Sequence, residues 1–377
     1  MMRKVLLFVL IAFCSLAVRA EYLDADTIDR VTRNDSLAPL HGNWLQQLMQ
    51  TNFRINDPRI QYPRFPKFCL KVYNWGDKTF NSYDPAYVSG TGKNWKLYVK
   101  SENWNQSYHY VFSLFNRNNV SVRSAINCDL GISLNFMAVG LSYTRAMDKS
   151  IYGSKNNRRT FDFSFTCSRF SAEVLSQKTK GNAFVDRFGD YEDGKYIHMP
   201  FEGLTQSQSS VTAFYFFNHN RYSQAAAYCY SKYQLKSAGS FIGGLRWGSR
   251  KLVMDFSDLP DEMKAANPEF PLISSFKYTE YSILTGYAHN WVLNKHLLLN
   301  VTAMPCFGYR KSELHDFEHN RREMLSANIL ARMSLTYNYK LLFCGLVMKF
   351  DGGFILNKNY EFFNSTQYAT AIVGIRF

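Results

Sequence analysis

The sequence predicts an all-β chain, an antiparallel transmembrane β-barrel of about fourteen strands within a range of twelve to sixteen, closed by its C-terminal strand. Three observations predict it. Alternating apolar and polar residues recur along most of the chain, the period of a strand with one greasy face. Beyond the N-terminus no apolar run reaches the ~18 residues a membrane helix needs; the longest, Leu341 to Met348, is far shorter. Aromatic residues are abundant, with 31 Phe, 25 Tyr and 6 Trp in 377 residues, and barrels set such residues in girdles at both membrane interfaces. A mean hydropathy of -0.28 fits strands that turn a single face to lipid.

At the N-terminus, Arg3 and Lys4 precede an apolar run from Val5 to Leu16, and small residues follow, ending at Val18-Arg19-Ala20. Residues 1–20 therefore read as a cleaved export signal. Cys14 lies inside the apolar run, behind Phe13, without the small residues and polar stretch that a lipoprotein box requires. Residues 21–66 form a polar periplasmic leader punctuated by Pro39, Pro58, Pro63 and Pro66, with one short helical segment near Leu40 to Gln50. The barrel is expected over residues 67–377, with the two-residue period starting near Phe68.

Within it, Leu130, Ile132, Leu134 and Phe136 alternate with polar or small residues, a tight turn follows near Met137, and Val139, Leu141 and Tyr143 answer on the next strand. Phe161, Phe163 and Phe165 turn at Cys167 to Arg169 into Phe170, Ala172 and Val174. Strands are expected at about 209–217 and 222–231 around the turn Asn218-His219-Asn220-Arg221, whose residues tolerate positive φ. Ser240 to Asp255 reads as two short strands turning near Gly248-Ser249, the step that brings the count to fourteen. Long loops are expected at 148–159, 179–208, 257–274, 309–321 and 352–366, facing outward, with short turns on the periplasmic side. The last strand places Ala369, Ala371, Val373, Ile375 and Phe377 on one face. Val373, Ile375 and Phe377 resemble the C-terminal insertion signal of bacterial outer-membrane barrels, which implies the barrel-assembly machinery as a partner.

Motifs that carry chemistry are weak. Six cysteines beyond the export segment (Cys69, Cys128, Cys167, Cys229, Cys306, Cys344) stand alone with no CxxC spacing, so no metal site is assigned. His315 and His319 stand four apart in an expected loop, without the glutamate position of a zinc-protease helix. No serine or aspartate can be paired with a histidine without the barrel register, so no catalytic residue is assigned. No glycine-rich loop precedes a helix, so no cofactor is assigned. Strand phase points Arg123, Asp162, Glu173, Asn328 and Arg332 into the lumen, where they either pair as packing or form a selectivity constellation. The formal net charge of +14 suits lipopolysaccharide phosphates and outer-membrane lipid rather than nucleic acid.

One block is more specific. FNHNRYS, the Ala-rich AAAYCY and QLKSAGS, between Phe217 and Ser240, resemble an uncharacterised domain-of-unknown-function family of exported proteins from Gram-negative gut bacteria of the Bacteroides type. YVSGTGKNW at Tyr87 to Trp95 and the hairpin Leu130 to Tyr143 are similar too. The resemblance implies an outer-membrane barrel and brings no activity with it. Asn218, Asn220, Gln234, Lys236, Ser237, Gly239 and Ser240 match its pattern; Asn218 and Asn220 read as turn formers, and the polar others as hydrogen-bonding anchors of a loop or binders of a head group. The expected function is a non-enzymatic channel or a structural, surface-binding barrel. A lipid-modifying outer-membrane enzyme and a soluble exported β-protein are the alternatives.

Overall fold

A computed structural model describes residues 39–377 except 52–54, 113–118, 148–155, 182, 267–271, 316–322 and 357–359. The export signal, most of the leader, and all but His315 of the His315 to His319 segment lie outside the described residues. Two compact units divide between Asn81 and Ser82. The first carries two helices, α1 (Trp44–Gln50) and α2 (Arg64–Phe80). A capping box starts α1: Asn43 Oδ1 accepts from the Gln46 amide and Gln46 Oε1 from the Asn43 amide, each at 3.0 Å. Helix α2 occupies the stretch near Phe68 where the two-residue period was expected to begin. Phe65, Phe68 and Trp75, three and seven apart, keep helical spacing, and Pro66 sits in the first turn, where its missing N–H costs no hydrogen bond.

The second unit is all strand apart from short helical turns. In chain order its strands are β1 (Val88–Gly90), β2 (Trp95–Phe112), β3 (Asn119–Ser124), β4 (Asn127–Phe136), β5 (Val139–Ala146) and β6 (Asn156–Thr166). Next come β7 (Phe170–Gly181), β8 (Ala183–Phe188), β9 (Met199–Phe201), β10 (Leu204–Phe216), β11 (Lys232–Gln234) and β12 (Ala238–Asp255). The rest are β13 (Ile273–Val292), β14 (Leu297–His315), β15 (Glu323–Tyr339), β16 (Leu342–Leu356) and β17 (Tyr360–Arg376), with a short helix α3 (Asp261–Ala265) between β12 and β13.

Twelve of these form a ring in the order β2, β4, β5, β6, β7, β10, β12, β13, β14, β15, β16, β17, every pair antiparallel, and β17 pairs back onto β2 to close it. The seam runs from Tyr360↔Phe112 to Arg376↔Lys96. A closed ring leaves no strand edge to pair with another chain. Twelve lies at the low end of the expected range for two reasons. Ser240 to Asp255 belongs to one continuous strand, with Gly248 and Ser249 paired mid-strand to Glu280 and Thr279. Residues 222–231 are not a strand at all.

Burial follows the alternation. On β17, Ala371, Val373, Ile375 and Phe377 face outward while Thr370, Ile372 and Arg376 are buried inside. On β13, Tyr281, Ile283, Tyr287 and Trp291 are exposed outward, and Glu280, Ser282, Leu284 and Asn290 face in. Several strands run past the stretch a membrane would cover, which shortens the loops expected at 179–208, 309–321 and 352–366. Only the loop-end half of β2 (Ser107 to Val111) pairs with β3; its turn-end half pairs with β4. The strands β3, β8 and β9 therefore leave the ring as a flap at the loop end.

Candidate functional site

Among the described residues, a buried segment occupies one end of the interior, an apolar cluster the other, and ion pairs run between them. At the turn end, the link between β10 and β12 does not turn back directly. From Tyr222 the chain forms a π-helical turn, Ala225–Cys229, in which Tyr222, Ala225, Ala226, Ala227 and Tyr230 are all buried, then pairs β11 with β1 in a small sheet. This plug is what the sequence offered as a strand. An apolar segment buried on every side has no alternation by which strand and helix can be told apart. Single-turn π segments inside folds often accompany functional positions.

Buried polar groups hold the plug to the wall. Gln234 accepts from the Ser223 amide (3.0 Å) and from Asn290 Nδ2 (2.9 Å), and donates to the carbonyls of Arg221 (2.6 Å) and Lys236 (2.9 Å). Asn300 donates to Asn290 Oδ1 (2.7 Å) and Tyr222 Oη (3.2 Å), and accepts from Tyr228 Oη (2.7 Å) and Thr302 Oγ1 (2.9 Å). Arg376, 1% exposed, donates from Nε to the Tyr230 carbonyl (2.8 Å), bonds Asn338, and lies 4.7 Å from the Phe343 ring centroid. Unpaired, each of these groups would cost about 1–3 kcal/mol, so the network fixes one docked position for the plug.

The positions of the sequence block between Asn218 and Ser240 lie in the plug or where it joins the wall, with Gly239 and Ser240 on β12. The Asn218 amide donates to Ser240 Oγ (2.9 Å) and its side chain to the Gly239 carbonyl (2.8 Å); the Asn220 carbonyl accepts from the Asp84 amide (2.8 Å). Ser237 Oγ accepts from the Val292 amide (2.9 Å), and Lys236 lies over the Tyr87 ring. A Cβ at Gly239 would collide with Tyr287 and His289. Nearby, Ser82 Oγ contacts Ser168 Oγ (3.1 Å) and His219 Nδ1 (3.2 Å). Burial, and then the Arg169 cation, hold His219 below the usual imidazole range, while burial pushes the Cys167 thiol up.

Above the plug lies a chamber of about 220 Å³ lined by Tyr98, Lys100, Glu102, Arg158, Glu173 and Arg332 among others. Ion pairs span it. Arg332 on β15 grips Glu173 on β7 with two bonds, 2.6 and 2.7 Å, and Arg246 on β12 meets Asp351 on β16 at 2.8 Å. Neither pair joins neighbouring strands, so both are struts across the lumen. Arg158 binds Glu102 (3.1 Å) and Asp129 (3.0 Å) beneath the Trp104 ring, and Lys100 binds Asp162 (3.2 Å). Toward the loop end, Glu280 takes Arg310 (Nε, 2.8 Å) and Asn328 (2.6 Å). Lys349 faces the chamber with no carboxylate in ion-pair reach among the described residues.

At the loop end, Tyr108, Tyr110, Leu252, Met254, Phe276 and Phe362 turn inward and pack against Val122, Val185, Phe188 and Phe201 of the flap and Phe256, Leu259 and Met263 beside α3. Here the aromatic face of β2 at Tyr108 and Tyr110 is the inner one, because the flap gives it an apolar partner.

Asp162, Glu173, Asn328 and Arg332 thus line the lumen in separate pairs, with only Glu173 and Arg332 joined to each other. Arg123 does not: it lies on β3, outside the ring, where its Nε meets Asp186 at 3.2 Å and its side chain is 41% exposed. Strand phase alone could not show that β3 leaves the barrel. Sequence reasoning missed Arg158, Arg246, Asp351, Glu280 and Arg376, although alternation within the strands they occupy marks each as inward. Among the described residues the six cysteines are free, three of them buried, and no grouping of three or more metal-ligating side chains occurs.

These features define the class: a closed, antiparallel all-β barrel, apolar outside and polar within, of the outer-membrane type. The chain belongs to the family described as a domain of unknown function, DUF4421, which matches residues 82–377. No curated protein matches it by sequence. Among solved structures, it is similar to the outer membrane protease OmpT from Escherichia coli at 8% identity, over 77% of this chain and 98% of that one, with a TM-score of 0.37. It is also similar to OmpT, an outer membrane protein of Vibrio cholerae (8% identity, 76% and 98%, TM-score 0.28). The toluene transporter TodX of Pseudomonas putida is a third (9% identity, 75% and 90%, TM-score 0.24).

Proposed function

We propose that the protein is a non-enzymatic outer-membrane barrel kept shut by its own chain, presenting the flap and loops of the loop end at the surface. The outward apolar face supports a seat in lipid, with lipopolysaccharide around the wall, and the exposed Val373, Ile375 and Phe377 supply the signal for the assembly machinery. The observation that carries the reading is the double closure: a plug sealed by buried hydrogen bonds at one mouth and an apolar cap at the other, with struts between. A freely conducting pore needs a continuous wet path, and the plug and the cap stand across it. Reconstituted into planar bilayers, the wild type is expected to be silent, and a variant with residues 218–237 replaced by a short turn to open stepwise. Steady conductance by the wild type would refute closure, and release of fatty acid from lipopolysaccharide would refute the non-enzymatic reading.

A further inference from the structure

The turn end of the barrel gathers cations with few acids among them. In the segments that join ring strands at the turn end, and in residues 82–94 that lead into β2, five cations are exposed: Lys93, Arg221, Lys236, Lys295 and Lys340. Arg169 and Lys232 add two half-buried ones. Against them stands one carboxylate, Asp84, already engaged by the Ala86 amide at 2.9 Å. The buried Arg376 lies just beneath, with backbone, amide and ring partners and no acid. Two loop-end segments are the reverse, although Lys178, Lys251 and Lys311 stand exposed on the strands beside them. Residues 189–203 and 256–266 carry Asp190, Glu192, Asp193, Glu202, Asp258, Asp261 and Glu262 with only Lys195 and Lys264.

Three of the exposed turn-end cations are positioned by aromatic rings. Arg221 and Lys236 lie 5.0 and 5.4 Å from the Tyr87 ring centroid, and Lys340 5.6 Å from Tyr339. A ring orders a cation yet leaves its charge free to act on a second partner. Like charges gathered on one face repel one another, a cost that an anionic partner relieves.

We infer that this face docks an acidic peptide segment of a partner protein. Lipid head groups do not fit the pattern: Arg221, Lys232 and Lys236 sit on the plug, inside the ring of strands, where bilayer lipid does not reach. Leu235, 48% exposed between Tyr233 and Lys236, gives the centre of the face an apolar point, which suits a peptide with a hydrophobic anchor among its carboxylates. Beyond the barrel fold the inference needs only that the turn end face water.

The test uses the full chain in detergent micelles and a short fluorescent peptide of glutamates around one leucine, followed by anisotropy. Binding that weakens with salt is expected. The triple variant Arg221→Gln, Lys236→Gln, Lys340→Gln should lose about tenfold or more in affinity. A matched variant at the other end, Lys178→Gln, Lys251→Gln, Lys311→Gln, removes the same net charge and should change affinity by less than about twofold. Heat-modifiable gel migration checks that both variants are folded barrels. Equal loss in the two variants, or no binding by the wild type, overturns the proposal. Capture of phosphatidylglycerol vesicles or of cell-wall sacculi without the peptide overturns it too, assigning the face to lipid or to glycan.

Discussion

Replacing Asn300 by Ala removes the side chain on which wall and plug converge. The substitution strips Tyr228 Oη and Thr302 Oγ1 of their acceptor and Asn290 Oδ1 of its donor, whereas Tyr222 Oη keeps Gln224 at 2.5 Å. Three polar groups losing their partner cost about 1 kcal/mol or more each, so plug docking should weaken by about 3 kcal/mol. At about 1.4 kcal/mol per factor of ten, that is roughly a hundredfold in the docking equilibrium. The twelve-stranded ring keeps its own ladders, and the loss should fall on the plug alone. Hydrogen exchange read by mass spectrometry on the protein in micelles tests this: amides of residues 222–234 should exchange roughly a hundredfold faster, with those of β14 and β15 unchanged. Unaltered exchange in the plug would show that the network is not what holds it. Equal acceleration in the ring would show that plug and barrel are one cooperative unit.

Four further outcomes are expected. Ile329→Arg, mid-strand on the outward face of β15, should destabilise the barrel in bilayers by about 2–4 kcal/mol, and Leu335→Arg, nearer the turn, by less; equal costs in guanidinium titrations would refute the depth assignment. Ser334→Arg, on the fully buried inner face, should prevent plug docking rather than be tolerated, and a docked plug by hydrogen exchange would contradict this. In a double-mutant cycle, Glu173→Gln or Arg332→Gln alone should cost more than both together, with a coupling of about 1–3 kcal/mol; additive values would mean the strut carries no stability. Because the folded pKa of His219 is depressed, the unfolded chain takes up the proton first, so its contribution to stability falls as pH drops below about 6.5 and levels off beneath the folded value. Thermal melts of His219→Gln across that range should lack the slope, and an unchanged slope would place it elsewhere.

Where a segment has one wet face and one dry face, the sequence was sufficient. The hairpin of β4 and β5, the turn at Cys167 to Arg169 and the phase of β17 all follow from alternation, because a one-residue slip would turn every apolar side chain inward. Where both faces are dry the rule goes silent, and Tyr222 to Tyr230 passed for a strand. Gly248 and Ser249 looked like a turn because glycine weakens strands. Their pairing to Glu280 and Thr279 comes from the neighbouring β13, which no local reading supplies. Lumen charges were legible as inward-facing, but not as struts: that Arg332 meets Glu173 depends on the ring's circumference, a property of the strand count. The block at Asn218 to Ser240 was visible as a unit, and only the fold shows it to be a stopper rather than a hairpin.

Arg376 belongs at once to the strand that completes the ring and to the lock on the plug. Its grip on the Tyr230 carbonyl and Asn338 exists only once β17 has paired along β16, since Asn338 and the carbonyls of Lys340 and Leu342 approach it from that side. Sealing the wall and stopping the mouth are therefore successive steps of one event. Before the last strand is laid the stopper has its bonds to Asn290 and Asn300 on β13 and β14 but lacks this latch.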